Sequence, residues 1–188
     1  MPSPFAHGVA GLGVHILMSR DRQEIRDPWR VGVTVGAALL PDLDLAFQFV
    51  DGANHHGAEF HGVGVAILAA VAGGLVFRLL GWKRPLACGL ASGLAYATHP
   101  LLDYLNVDTH PPIGILALWP FSSSYYKFPW PIFIDIGRTL TWTGVIHNAV
   151  AGAWEAAVLL PMLWAAWRWR SKRLGGSPPW HEGSRASR

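Results

Sequence analysis

The side chains in this chain that can do chemistry are imidazoles and carboxylates: His7, Asp42 and Asp44, His55, His56, Glu59 and His61, His99 and Asp103, and His147. Gathered from separate segments, such groups form a nitrogen and oxygen ligand set suited to Zn, Mn or Fe. The single cysteine, Cys88, excludes a disulfide framework and a cysteine-ligated zinc site. His99 and Asp103 stand four apart, so a continuous helix puts both on one face, where they can hold one ion or bridge two. Pro100 lies within that turn. Asp42 and Asp44 are two apart and point to different faces of a regular helix. Both reach one site only if the helix distorts near Pro41, one binding metal while the other orients a histidine from behind. Asp44 or Glu59 is the group expected to take the proton of a metal-activated water.

Each residue also has an ordinary structural explanation. A lone histidine in an apolar helix, such as His7, His15 or His147, is commonly satisfied by a backbone carbonyl. P-D-L-D (Pro41 to Asp44) reads as a polar break at a helix end, and H-P-L-L-D (His99 to Asp103) as a hydrogen-bonded pair at a helix terminus. Asn54 to Gly57 reads as an exposed turn. Which explanation holds depends on whether the elements carrying these residues bring them together.

Those elements are long and apolar. Of 188 residues, 51% are hydrophobic and only 14% charged, against about 25% charged in soluble domains. This composition excludes intrinsic disorder. The net charge of +3 sits in short clusters between uncharged stretches, which flanks membranes and builds no nucleic-acid-binding face. A helix needs about 20 mostly apolar residues to cross a bilayer. Five stretches approach that length: Ser3 to Ser19, Val31 to Val50, Phe60 to Phe77, Leu86 to Leu102 and Trp142 to Trp167. The first has no basic leader and no small-x-small cleavage pattern, so it belongs to the mature chain.

Lys and Arg cluster after the first stretch (Arg20, Arg22, Arg26, Arg30), after the third (Arg78, Lys83, Arg84) and after the fifth (Arg168, Arg170, Lys172, Arg173). Cytoplasmic loops retain positive charge, so five crossings run N-out and C-in. Trp29, Trp82, Trp167 and Trp169 then fall near the inner boundary, and Trp119, Trp130 and Trp142 near the outer one. In that topology the candidate residues above all gather at the outer end, while His15 and His181 fall elsewhere. The predicted fold is an all-α polytopic membrane bundle of about five transmembrane helices over residues 1–170. A Pro/Trp-rich apolar segment from Asn106 to Leu140 roofs its outer end, and a basic, disordered cytoplasmic tail occupies residues 171–188.

F-A-H-G-V-A-G (Phe5 to Gly11), P-D-L-D (Pro41 to Asp44), a histidine-glycine element (His55 to His61), H-P-L-L-D (His99 to Asp103) and W-P-F-S (Trp119 to Ser122) follow one another in that order. The ordered set resembles the YdjM-like family of bacterial and archaeal inner-membrane metal-dependent hydrolases over roughly residues 5 to 147. That family is in turn similar to the zinc-dependent phospholipase C and nuclease P1 superfamily, all-α enzymes that cleave phosphate esters. The resemblance implies a phosphoesterase with metal at His7, Asp42, Asp44, His56, His61, His99, Asp103 and His147. Two departures bear on the site. The family's H-R-G-x-T-H-S is H-H-G-A-E-F-H here, so either His55 or His56 can partner His61. Four residues after His147 stands Ala151 where the superfamily carries a glutamate, so one or two ions are expected, not three.

The function expected is a membrane hydrolase using metal-activated water on a phosphate ester, lipid-linked or otherwise amphiphilic, in contact with membrane lipids. The metal is zinc, with manganese or iron as alternatives. A non-catalytic metal-binding protein or transporter is one competing reading, and a b-type haem protein with paired axial histidines is another. The carboxylates argue against haem, and the nearly uncharged inner half argues against transport.

Overall fold

The computed structural model describes residues 1–52, 55–109, 111–137 and 139–175, and the expectations for Asn54, Arg138, His181 and the tail from residue 176 lie outside them. Among the described residues the chain is all-α, with two isolated β-bridges and no strand.

Helix starts follow local capping chemistry. α1 (Pro4–Met18) begins where Ser3 Oγ accepts the Ala6 N–H at 3.3 Å, with Pro4 at its first position. Asp21 and Asp27 cap α2 (Arg22–Arg26) and α3 (Pro28–Leu39) in the same way. The Glu24 backbone N–H holds the Asp21 carboxyl below its ordinary pKa.

The stretch Val31 to Val50 departs from expectation, since it is not one helix. Pro41 offers no N–H, and its ring would clash with the Ala37 carbonyl four residues back. The Leu40 N–H instead bonds Ala37 O, and the chain tightens into a 3-10 helix, Leu40–Ala46, before the short α4 (Gln48–Asp51). A second 3-10 turn, Glu59–His61, precedes α5 (Val63–Leu79). α6 (Pro85–Tyr104) runs unbroken through Pro100, and α7 spans Trp142–Leu174. α7 is the one described helix that has the length and mean hydropathy of a full membrane span; α1 and α5 are shorter apolar helices, so five full-length spans are not seen. Only 17% of α7's most apolar window is buried, whereas a core helix of a soluble fold is mostly buried.

α1 packs against α3, α6 and α7, and α6 also against α3 and α5. Small residues set these approaches. A Cβ on Gly89 would lie 2.5 Å from Ala70 O, one on Gly93 2.5 Å from Ala70 Cβ, and one on Gly11 2.7 Å from Ala38 Cβ. Outward, α5 exposes Ile67, Leu68, Val71, Leu75 and Leu79, and α7 exposes Val145, Val150, Trp154 and Met162. Apolar surface on this scale is the mark of a lipid or partner interface.

α1 and α7 run in the same direction, tied at both ends. The Ser3 N–H donates to Glu155 Oε1 at 2.7 Å and the Ser3 hydroxyl to Glu155 Oε2, while Arg170 Nε donates to Ser19 O at 2.9 Å. Glu155 is fully buried, and its charge lies where the dipole of α1 is positive. Glu155→Ala is expected to cost about 2–3 kcal/mol and to lower Tm in detergent by roughly 4–12 °C. An unchanged Tm would show that this contact does not anchor α1.

The segment after α6 folds back over the bundle end. Ala117 O and Trp119 O accept the Val63 and Gly64 N–H groups, which α5 leaves unpaired at its start, and Leu105 O accepts from Ile132 and Phe133. Its own Ile115, Leu116 and Phe133 are buried. The turn leading to His61 depends on Gly57, whose φ of +78° suits glycine and whose missing Cβ leaves room for Gly114 O.

Candidate metal centre

The roofed end of the bundle gathers imidazoles and carboxylates from separate elements. His7 comes from the first turn of α1, and His99 and Asp103 from the last turns of α6. Asp42 and Asp44 come from the 3-10 helix that Pro41 imposes, and His61 from the one before α5. The tighter winding does what a regular helix would not, for Asp42 Oδ1 and Asp44 Oδ1 both approach His56 Nδ1, at 3.8 and 3.5 Å.

Asp103 sits at the middle. Its oxygens lie 3.0 Å from His61 Nε2, 3.2 Å from His99 Nε2 and 3.7 Å from His7 Nε2. His99 Nε2 is also 3.3 Å from Asp42 Oδ1, and His61 Nδ1 is 3.2 Å from Asp44 Oδ2. The rings of His7 and His99 stack with centroids 3.5 Å apart, and His61 stands edge-on to both His56 and His99. His7, Asp44, His61 and His99 are wholly buried.

Protons alone do not balance this geometry when the rings are neutral. His99 Nδ1 lies 2.7 Å from Ala38 O, which can only accept, so in a neutral ring Nδ1 carries the hydrogen and Nε2 would turn a bare lone pair on two carboxylates. His61 has a carboxylate at each nitrogen, and a neutral ring donates to only one. Both nitrogens of His7 and His61, His99 Nε2, Asp42 Oδ1, Asp44 Oδ2 and both Asp103 oxygens are buried with no hydrogen-bond partner. Buried polar atoms are rarely left so, because each costs about 1–3 kcal/mol. The ion pairs that Arg30 and Arg84 make with Glu24 and Asp27 lie at the opposite end of the bundle.

A cation at the centre would satisfy these atoms together. Two groups have their ligating atoms within 4.8 Å of one another: His7, His99 and Asp103, and Asp42, His56 and His61. Atoms sharing an ion at about 2.1 Å lie no more than about 4.2 Å apart, so modest side-chain rotation suffices. The donor set of imidazole and carboxylate without thiolate fits a hard or borderline divalent ion. Asp44 belongs to neither group and stands behind His56 and His61, the orienting role open to one of the two aspartates.

Three expected residues are not brought in. His147 is exposed, with Nε2 2.9 Å from Asp135 O, because α7 overshoots α1: it lies twelve residues before Leu159, which shares a core cluster with Ala6, or about 18 Å along the helix. Glu59 is exposed and acts instead on the Tyr125 hydroxyl, whose pKa burial and the Glu59 charge both raise. His55 packs edge-on against Phe47, leaving His56 as the partner of His61. His15 is satisfied by Ile25 O and Thr34 Oγ1, far from the cluster.

Sequence reasoning passed over Asn106, three residues beyond Asp103. It is buried, with an unpartnered Oδ1. With His56, Asp103, Asp108 and Asp135 it lines a narrow cleft of ≈ 30 Å³, room for about one water, that leads from the roof to the cluster. The available signal was the spacing of four and three between His99, Asp103 and Asn106 in H-P-L-L-D-Y-L-N, which is that of one helical face.

The sequence model of the YdjM inner membrane protein family matches residues 1–174. Neither the curated proteins nor the solved structures hold a match to the chain.

Proposed function

The chain belongs to the YdjM inner membrane protein family, and from that premise we propose that it is a metal-dependent membrane hydrolase acting on a phosphate ester. The observation that carries the reading is the buried set of facing imidazole nitrogens and carboxylate oxygens, reached by a water-sized cleft. His7, His99 and Asp103 would hold one divalent ion, zinc in the first instance, and Asp42, His56 and His61 offer a place for a second. Such an ion supplies Lewis acidity toward a phosphoryl oxygen and acidifies a water.

The chain's own groups do the rest. Ala38 O fixes His99 with Nε2 toward the centre. Asp44 orients His61 and is placed to draw a proton from the cleft through His56, whose ring touches both. Asn106, on the cleft wall, is placed to steer a polar substrate group toward Asp103. The choice of phosphate esters over other substrates rests on analogy, through the family's resemblance to the phospholipase C and nuclease P1 superfamily. His7 and His99 stack directly on one another, which leaves no macrocycle space between them and disfavours a haem pair.

Metal-loaded protein in detergent is expected to hydrolyse at least one member of a panel of phosphomonoesters, phosphodiesters and phospholipids. No turnover across the panel, with metal bound, would replace the enzyme by a metal-stabilised membrane scaffold.

We further propose that the bundle of residues 1–170 sits in the membrane with about five crossings, the shorter helices packed together beside the full-length α7, N-out and C-in, with the cluster on the outer side. The motive is that Arg30, Arg84, Arg168 and Arg173 gather at the end opposite the cluster, three of them stacked on Trp82, Trp164 and Trp169. In a Cys88→Ser background, an impermeant thiol reagent applied to intact cells should label Ser123→Cys and not Lys172→Cys. The reverse pattern would invert the orientation.

A further inference from the structure

On the flank of α6 away from the cluster lies a second cavity of ≈ 410 Å³, walled by Ala97, Leu101 and Tyr104 of α6, Val63 of α5, and Ile115 and Leu118 of the roof. Ala97, Leu101 and Tyr104 repeat at intervals of four and three, one helical stripe. His99 and Asp103 form another, offset by two residues and so about 200° around the axis. Apart from Tyr104 and Tyr126 the lining side chains are hydrocarbon, and none carries a charge. The volume is that of a small-molecule site.

Two features indicate the occupant. Val63, Leu101 and Leu118 at the mouth are exposed, continuous with the bare apolar stripe Ile67, Leu68, Val71 and Leu75 of α5. In an inner membrane protein that stripe is a surface for acyl chains. At the inner wall, Ile115 is buried to 4% exposure and lines this cavity and the polar cleft of His56 and Asp103 alike. One side chain therefore separates a hydrocarbon compartment open to the apolar surface from a polar passage to the cluster.

We propose that this cavity holds the hydrocarbon chain of an amphiphilic phosphate ester, whose polar end reaches the His/Asp cluster once the Ile115 side chain swings aside and widens the water-sized cleft. This names the substrate class of the phosphate-ester reading above and rests on it.

The test uses the full chain in detergent with zinc, and dodecyl phosphate carrying a photoactivated diazirine at its chain end. Labelling should saturate and map to Leu101, Ala117 and Leu118. It should fall by about tenfold or more in Ala97→Trp, whose indole intrudes into the cavity and blocks the path of a chain, and in Leu118→Gln, which makes the mouth polar. Label on the exposed face of α7 should not change. Unlabelled dodecanol should compete about tenfold or more weakly than dodecyl phosphate, since only the phosphate meets charged partners. Labelling that never saturates, or that spreads evenly over α5, α6 and α7, overturns the proposal. Equal competition by dodecanol also overturns it, because chain and phosphate would then not be held by joined compartments. The readout needs no turnover, so a failure of hydrolysis and a failure of this groove are distinguishable.

Discussion

Replacing Asp103 with alanine is expected to lower divalent-ion affinity by more than about 100-fold and to remove hydrolytic turnover. Loss of a group that merely orients a metal ligand costs about 10- to 100-fold, and Asp103 stands closer to the centre than that. Its two oxygens face His7, His61 and His99, so alanine removes the group these rings share. Titration of metal-stripped protein with zinc, beside an activity assay, reads both effects. His15→Ala and His147→Ala should leave both unchanged, because one ring is satisfied by Ile25 O and Thr34 and the other lies beside Asp135, away from the cluster. Retention of zinc by Asp103→Ala at wild-type affinity would remove this residue from the site.

Stripping the ion is expected to lower Tm by roughly 8–16 °C. An ion present at about 1,000 times its Kd contributes about 4 kcal/mol, and a chain of this size shifts by about 2–4 °C per kcal/mol. The sign follows from the charges, since Asp42, Asp44 and Asp103 pack against one set of imidazoles and like charges are left facing one another once a cation leaves. Melting curves before and after chelation, with zinc added back, measure it. A stripped protein that melts at the original temperature would mean that protons on the imidazoles balance the carboxylates without metal.

What the sequence made legible follows the range of each signal. Spacing within one helix is local, and the pairing of His99 with Asp103 emerged as the four-residue interval requires. Pro41 announced a distortion beside Asp42 and Asp44, and the 3-10 helix is that distortion. It also shortened α3 to 12 residues, which hydropathy, being blind to backbone hydrogen bonds, read as part of a longer span. The offset between helices is not local. Nothing in α7 alone says that its Glu155, rather than His147, is level with the start of α1. That level is set by Glu155 meeting Ser3, a contact across 152 residues of sequence. Buried Glu155 therefore reads as a break in an apolar run until Ser3 is placed beside it. The choice between His55 and His56 was equally closed to spacing, because it turns on Gly57 and on the roof residues that pack against it.

The claim on which the rest depends is that the cluster of His7, Asp42, His61, His99 and Asp103 is a metal centre. Elemental analysis of the detergent-purified protein, wild type beside His99→Ala, tests it most directly. The account predicts at least one tightly held divalent ion per wild-type chain and its loss from His99→Ala while the variant remains folded. A wild-type chain that holds no ion after zinc supplementation, or a His99→Ala chain that holds as much as wild type, would contradict it.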